Sequence, residues 1–305
     1  MNISIISIIS RALSSATPLI IAGVGGLFGE KAGITNIGVD GNMLIGAFAA
    51  AIGSYYTDSA WMGLLIGVAV STLVALLHAY LCITVRLDHV ISGLAINTLA
   101  SNITVYLLGV LFNNKGNSAI VPQLPTVDIP LLASLPVVGP IFQNLSLLTL
   151  LVPLLVLGAY ILQTKMRFGM RVIASGSNVQ AAKVMGVNVA GTQYASVLLG
   201  GICCGLAGAF LSISYMNMFV RNMTAGRGYI AIAAILFGNY KPIGVCLAGL
   251  FFGFVDALQI ALQGTVNIPS AFVQSLPYAL TIIAVAYVMG GKSRPPHSKL
   301  KKGRI

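Results

Sequence analysis

Apolar residues run for membrane-spanning lengths eight times along the chain, near 12–28, 37–54, 61–84, 90–112, 145–163, 193–214, 243–263 and 271–290. Each run is close to the roughly 20 residues that cross a hydrocarbon core of about 30 Å as a helix. A ninth apolar stretch, Gly228 to Tyr240, lies between Arg227 and Lys241, and its 13 residues rise only about 20 Å as a helix. That length predicts a broken or re-entrant crossing. The pattern therefore predicts an all-α, polytopic transmembrane helical bundle of about nine crossings, forming one domain over residues 1–305.

One long polar stretch interrupts this pattern: residues 165–191, KMRFGMRVIASGSNVQAAKVMGVNVAG. Lys165, Arg167, Arg171 and Lys183 stand there without an acid, and positive charge beside membrane segments is retained on the cytoplasmic side. With this loop and the basic tail 291–305 inside, alternation places thirteen of the 17 Lys and Arg inside. Arg11, Lys115, Arg221 and Arg227 remain outside with the proline-rich loop 113–144, and the N-terminus is external. Within the interruption, Ser177 or Asn178 is an N-cap for a short helix over 179–185 that stops at Gly186. Val179, Ala182 and Met185 then share one face. This is either a solvated connector or a coupling helix that docks on a cytoplasmic partner.

Polar residues also fall where lipid would penalise them. Asn36, Asp40 and Asn42 sit at the mouth of the second segment, among Gly33, Gly38 and Gly41. Asn97 and Asn102 lie within the fourth. Asp256, Gln259 and Gln263 recur at helical spacing on one face of the seventh, where Asp256 is the one deep carboxylate. For the amides, hydrogen bonding between helices competes with solute contact. An intramembrane Asp, at about 3 kcal/mol on the insertion scale, points to function by default. Gly25 and Gly29, Gly63 and Gly67, Gly201 and Gly205, and Gly249 and Gly253 have the spacing that lets helices approach closely, and are read as packing.

Composition narrows the class. Of the residues, 57% are hydrophobic and 8% charged, and the mean hydropathy is +0.94, more apolar surface than a soluble core can hide. The net charge of +11 comes from short loops and the tail, where membrane insertion explains it and no nucleic-acid partner is implied. Cys82, Cys203, Cys204 and Cys246 lie in apolar segments and read as small buried hydrophobes, His78 as a bundle-facing residue and His89 as a surface one. No metal-ligand or acid–base grouping emerges, so neither an intramembrane enzyme nor a bound metal is expected. Gly291, Lys292 and Ser293 resemble the end of a phosphate loop, but Ala286 stands where that motif needs glycine, so no ATP site is expected in this chain. The N-terminus lacks a small-residue cleavage site, and the first helix is expected to be retained. An ion channel would more naturally show charged rings or a repeated filter sequence.

Aligning Gly41 with Gly228 sets GNMLIGAFAAAIGSYY against GYIAIAAILFGNY. The copies are five crossings apart and would run in opposite directions, as inverted-topology repeats of transporters do. Chance similarity between apolar stretches competes with this reading.

Three stretches, GEKAGITNIGVDGNMLIGAF, RFGMRVIASGSNVQAAKVMGV and GRGYIAIAAILFGNYKPIG, resemble the signatures of the bacterial ABC-importer permeases that serve branched-chain amino acids, ribose-type sugars and nucleosides. HVISGLAIN and DALQ resemble the nucleoside, basic-membrane-lipoprotein-linked branch. Asp40 departs from the usual Glu, and Ser177 from the Glu common before the coupling-loop Asn. The resemblance implies a permease subunit of the bacterial cell membrane, not an enzyme, with no cofactor of its own. Its partners would be a second related permease, an ATPase with two nucleotide-binding cassettes that binds the ATP, an external substrate-binding lipoprotein, and membrane lipid. It implies a solute pathway past Asn36, Asp40, Asn42, Asn97, Asn102, Asp256, Gln259 and Gln263. ATPase coupling falls to Arg167, Gly169, Arg171, Gly176, Asn178, Ala181, Ala182 and Gly186. Nucleosides are the expected solute, with ribose-type sugars or branched-chain amino acids as alternatives and a channel or scaffold subunit as the reading from another class.

Overall fold

The computed structural model describes residues 5–127 and 145–263; the expected segment 271–290 and the basic tail lie outside the described residues. Ten helices form within them: α1 (Ile5–Lys31), α2 (Val39–Thr57), α3 (Ala60–Ala79), α4 (His89–Phe112), α5 (Leu147–Thr164), α6 (Arg167–Ser177), α7 (Val179–Val184), α8 (Val189–Ala209), α9 (Arg227–Phe237) and α10 (Pro242–Gln263). π-Helical turns at Tyr80–Thr84 and Phe210–Tyr215 extend α3 and α8. Thr126–Val127 and Leu145–Ser146 pair as a small antiparallel ribbon, β1 and β2.

Among the described residues, six helices are long and apolar enough to cross a membrane: α1, α3, α4, α5, α8 and α10. The expected second crossing is α2, a Gly- and Ala-rich helix buried on nearly every side that is not among the six. The expected short segment is α9, whose 11 residues rise about 16 Å.

The two helices at the centre are α1 and α8. The first packs against α10, α8 and α9, the second against α3, α1 and α2. Small residues make this possible, because hydrocarbon gives helices no hydrophobic reason to associate and close packing has to supply the attraction. Gly25 of α1 meets Cys203 of α8, Gly249 and Gly253 of α10 rest on Ile20 and Ala16 of α1, and Gly63 and Gly67 of α3 rest on α2 at Ala50. A methyl group at any of these would enter its neighbour, and Gly201 and Gly205 of α8 meet α3 at Ala75 and Val68 in the same way, whereas Gly29 lies against the Ile34 carbonyl that follows its own helix. The cysteines are unpaired. His78 is fully buried, with its ring Nδ1 2.9 Å from Ser92 Oγ.

The connections gather at two ends. At one end the backbone amide of Thr35 donates to His89 Nδ1 (3.3 Å), Gln193 Nε2 donates to the Ala32 carbonyl (3.1 Å), and Gly176 lies against Lys31 and Gly33. At the other, the Ser118, Val121 and Arg221 amides donate to the Phe219, Asn217 and Gly116 carbonyls at 2.8–2.9 Å, and Ser54 Oγ donates to the Pro122 carbonyl. The turns after α1, α3 and α5 thus share an end, as the charge pattern requires, and Lys115 and Arg221 share the opposite one. Arg227 does not join them: it follows the turn 216–226 and sits half-buried beside Asp256 of α10.

A candidate functional site where two helices begin

The N-terminal ends of α2 and α9 meet inside the bundle. Glycine dictates the approach at Gly228, where any side chain would collide with the Asp40 backbone. Gly226, in the left-handed region at φ +79°, ends the re-entrant turn and starts α9 without offering a side-chain cap. Asp40 supplies that cap from α2. Its Oδ1 accepts from the Gly228 amide (2.9 Å) and its Oδ2 from Thr224 Oγ1 (3.1 Å). One carboxylate therefore lies at two helix N-termini, where the free amides and the aligned peptide dipoles favour negative charge.

Asn97, two turns into α4, binds the same junction from a third side. Its Oδ1 accepts from the Gly41 amide (2.7 Å), and its Nδ2 donates to the Ile37 carbonyl (3.0 Å) and to the Tyr229 hydroxyl (2.8 Å). Asn36 caps the approach to α2 by accepting from the Gly38 amide at 2.9 Å. Asn42 is fully buried, and neither polar atom of its amide has a hydrogen-bond partner among the described residues.

A fourth strut comes from α10. Arg227 Nη2 donates to Asp256 Oδ2 at 3.2 Å, the one salt bridge among the described residues, and Arg227 Nη1 donates to the Met223 carbonyl at 3.2 Å. The deep carboxylate is thus neutralised within the chain. Gln259 and Gln263 continue along α10 one and two turns beyond Asp256, half-buried and exposed respectively. Asn102 faces an open cavity on α4 and donates to the Thr98 carbonyl of its own helix at 2.7 Å. The structure therefore brings Asp40, Asn97 and Asp256 into one network and leaves Asn102, Gln259 and Gln263 outside it. Sequence reasoning missed Thr224, Arg227 and Tyr229; the signal was the Gly226-Arg227-Gly228 triplet, since glycines flanking an arginine mark a turn buried against backbone.

The polar interruption folds into two helices where one short one was expected. Gly169 lets α6 start against the end of α5 at Gln163, and Gly176 lets it end against α1 at Lys31. Phe168 meets Phe28 of α1, with ring centroids 6.2 Å apart. Asn178 caps α7 by accepting from the Ala181 amide (3.0 Å), and Gly186, at φ +76°, ends it. Ala182 turns inward and is buried, whereas Val184 and Met185 are 87% and 82% exposed. The outward apolar face of this element is therefore Val184 and Met185, beside Val179.

The described helices form a bundle of spanning helices with the short α9 among them and a helical elbow at one end. Residues 8–285 match the family described as the permease component of branched-chain amino acid transport systems, and the chain belongs to that family of integral membrane transport proteins. It is 36% identical over 299 residues to the nucleoside ABC transporter permease protein NupC of Lactococcus lactis, covering 94% of each chain. Over 304 residues it is 34% identical to the guanosine ABC transporter permease protein NupQ of Bacillus subtilis, covering 96% of this chain and 95% of that one. The putative glucose ABC transporter permease protein TsgC13 of Haloferax volcanii is 32% identical over 260 residues, 84% of this chain and 78% of its own. No solved structure matches the chain.

Proposed function

We propose that this chain is the permease subunit of an ATP-driven nucleoside importer. The observation that carries the solute class is the near end-to-end similarity to NupC and NupQ, both named for nucleoside transport. The second relative class, represented by TsgC13, keeps a sugar as the alternative solute. In this reading a second, related permease pairs with the chain, an external lipoprotein delivers the solute, and a cytoplasmic ATPase with two nucleotide-binding cassettes provides ATP and meets the α6–α7 elbow. The end of the bundle with Lys31, the elbow and Lys241 faces the cytoplasm, because it carries the basic loops.

The mechanism is alternating access without chemistry on the solute. The elbow is fixed to α1 through Phe168 and Gly176, so a push on Val184 and Met185 is delivered to the central helix. From α1 it passes to α9, and the junction of Asp40, Asn97, Arg227 and Asp256 is where α2, α4, α9 and α10 can separate or close. An inverted repeat suits this motion. Its support is that α1 lies against α10, α9 and α8 as α8 lies against α3, α2 and α1, the exchange expected of two copies, α1–α3 and α8–α10. With α2 and α9 counted as crossings and the segment 271–290 added, the bundle has nine.

The test is the complete transporter in proteoliposomes. ATP hydrolysis should rise when the lipoprotein is added with uridine or adenosine outside. Hydrolysis stimulated by the lipoprotein with glucose alone would move the chain to the sugar reading, and solute flux without hydrolysis would make it a channel.

A further inference from the structure

Beyond the junction, the end of the bundle that carries Lys115 holds an open cavity of about 770 Å³, bounded by Ser101, Asn102 and Tyr106 of α4, by Lys115, and by Arg221 and Asn222 of the re-entrant turn. Small-molecule sites run from about 300 to 1,000 Å³. On α4, Thr98, Asn102 and Tyr106 recur every fourth residue and form one row along the helix. All three are exposed, Tyr106 at 68%. Asn97, whose amide holds the two helix starts together, lies one residue before Thr98, on the neighbouring row of α4 with Ser101. A row of amides and hydroxyls facing acyl chains would be costly, so this face of α4 borders an aqueous route.

The chemistry of the walls selects a solute. Tyr106 offers an aromatic face, on which any nucleobase stacks. Asn102 and Asn222 carry both donors and an acceptor, as the edge of a base does. Lys115 and Arg221 carry donors only, which suit hydroxyl lone pairs, and none of the lining residues is acidic, so cationic solutes are repelled. Val105 and Val110 also line the cavity and add an apolar strip, over which a base ring can lie beside Tyr106.

We propose that this cavity is the outer receiving subsite for an uncharged nucleoside, with the base stacked on Tyr106, its edge on Asn102 and Asn222, and the ribose hydroxyls on Lys115 and Arg221. The assignment rests on the nucleoside-import reading above. A solute released there descends along α4 toward Asn97.

The experiment uses the complete transporter in proteoliposomes and reads radiolabelled uridine and adenosine taken up per ATP hydrolysed. Tyr106→Leu should lower that ratio about tenfold, the loss of one base–aromatic stack, while Tyr106→Phe keeps the ring and stays within about twofold of wild type. In a second measurement, Tyr106→Cys in a background with Cys82, Cys203, Cys204 and Cys246 replaced by serine is labelled from outside by an impermeant thiol reagent. Uridine with the binding lipoprotein should slow labelling at least about fivefold, as expected where a bound ligand covers most of its pocket; leucine should not. A transporter that imports nucleosides while Tyr106→Leu retains the wild-type ratio, or while uridine leaves the labelling rate unchanged, overturns the subsite alone. A wild-type transporter that imports glucose or leucine and no nucleoside overturns the import reading instead.

Discussion

The Asp40 carboxylate of α2 accepts the Gly228 amide of α9 at 2.9 Å, across 188 positions of sequence. Two helices that the alignment of Gly41 with Gly228 pairs in sequence are thereby joined at their first turns. A helix of 11 residues that begins inside the bundle needs such a partner, because its leading amides have none within the helix.

Substitution at either side should weaken the joint by different physics. Gly228→Ala forces the backbones apart and is expected to lower the thermal unfolding midpoint of the purified protein and abolish uptake. Asp40→Asn keeps one acceptor and loses the charge at two helix ends, and should cost about 1 kcal/mol. Uptake and unfolding in detergent, measured side by side, check both.

Arg227 and Asp256 should behave as a pair. Removing one partner strands a charge in a low-dielectric site, so Arg227→Leu and Asp256→Leu should each reduce folded protein and transport more than the double replacement does. A double-mutant cycle on unfolding midpoints measures the coupling. Strictly additive losses would return Asp256 to the role of a direct solute ligand.

Ala182 and Met185 separate folding from coupling. Ala182→Glu buries a charge and should reduce the amount of inserted protein, whereas Met185→Glu on the exposed side should leave insertion unchanged and abolish lipoprotein-stimulated ATP hydrolysis. Quantifying protein and hydrolysis in the same membranes distinguishes them.

Among the described residues Asn42 carries a buried amide without a partner, and such a group costs about 1–3 kcal/mol. Asn42→Leu should therefore raise the unfolding midpoint of the isolated chain. It should also slow transport, if the amide finds its partner only in another state of the cycle. Faster or unchanged uptake with higher stability would leave Asn42 without a part in transport.

Much of this was legible in the sequence because a bilayer constrains it strongly. Six of the spanning lengths, most of the glycine seams, the Asn178 cap and the Gly186 stop follow from local rules that tertiary structure had no reason to override. The pairing of Arg227 was not legible because charge patterning counts loops. Such counting cannot see a turn that brings Arg227 to Asp256, 29 positions further on. The α6 helix was missed; its Gly169 and Gly176 are close contacts with α5 and α1, which spacing along the chain does not reveal. Ala182 was placed on the docking face by spacing alone, and spacing does not say which face of a two-turn helix the rest of the chain covers.

The most direct measurement of the central claim, that this chain forms the membrane path of a nucleoside importer, is radiolabelled uptake in cells that lack it and in the same cells complemented. Unlabelled adenosine, uridine, ribose, glucose and leucine compete in turn. Uridine and adenosine uptake should disappear on deletion, return on complementation, and be competed by nucleosides but not by leucine or glucose. Nucleoside uptake that survives deletion while glucose, ribose or leucine uptake is lost contradicts the account.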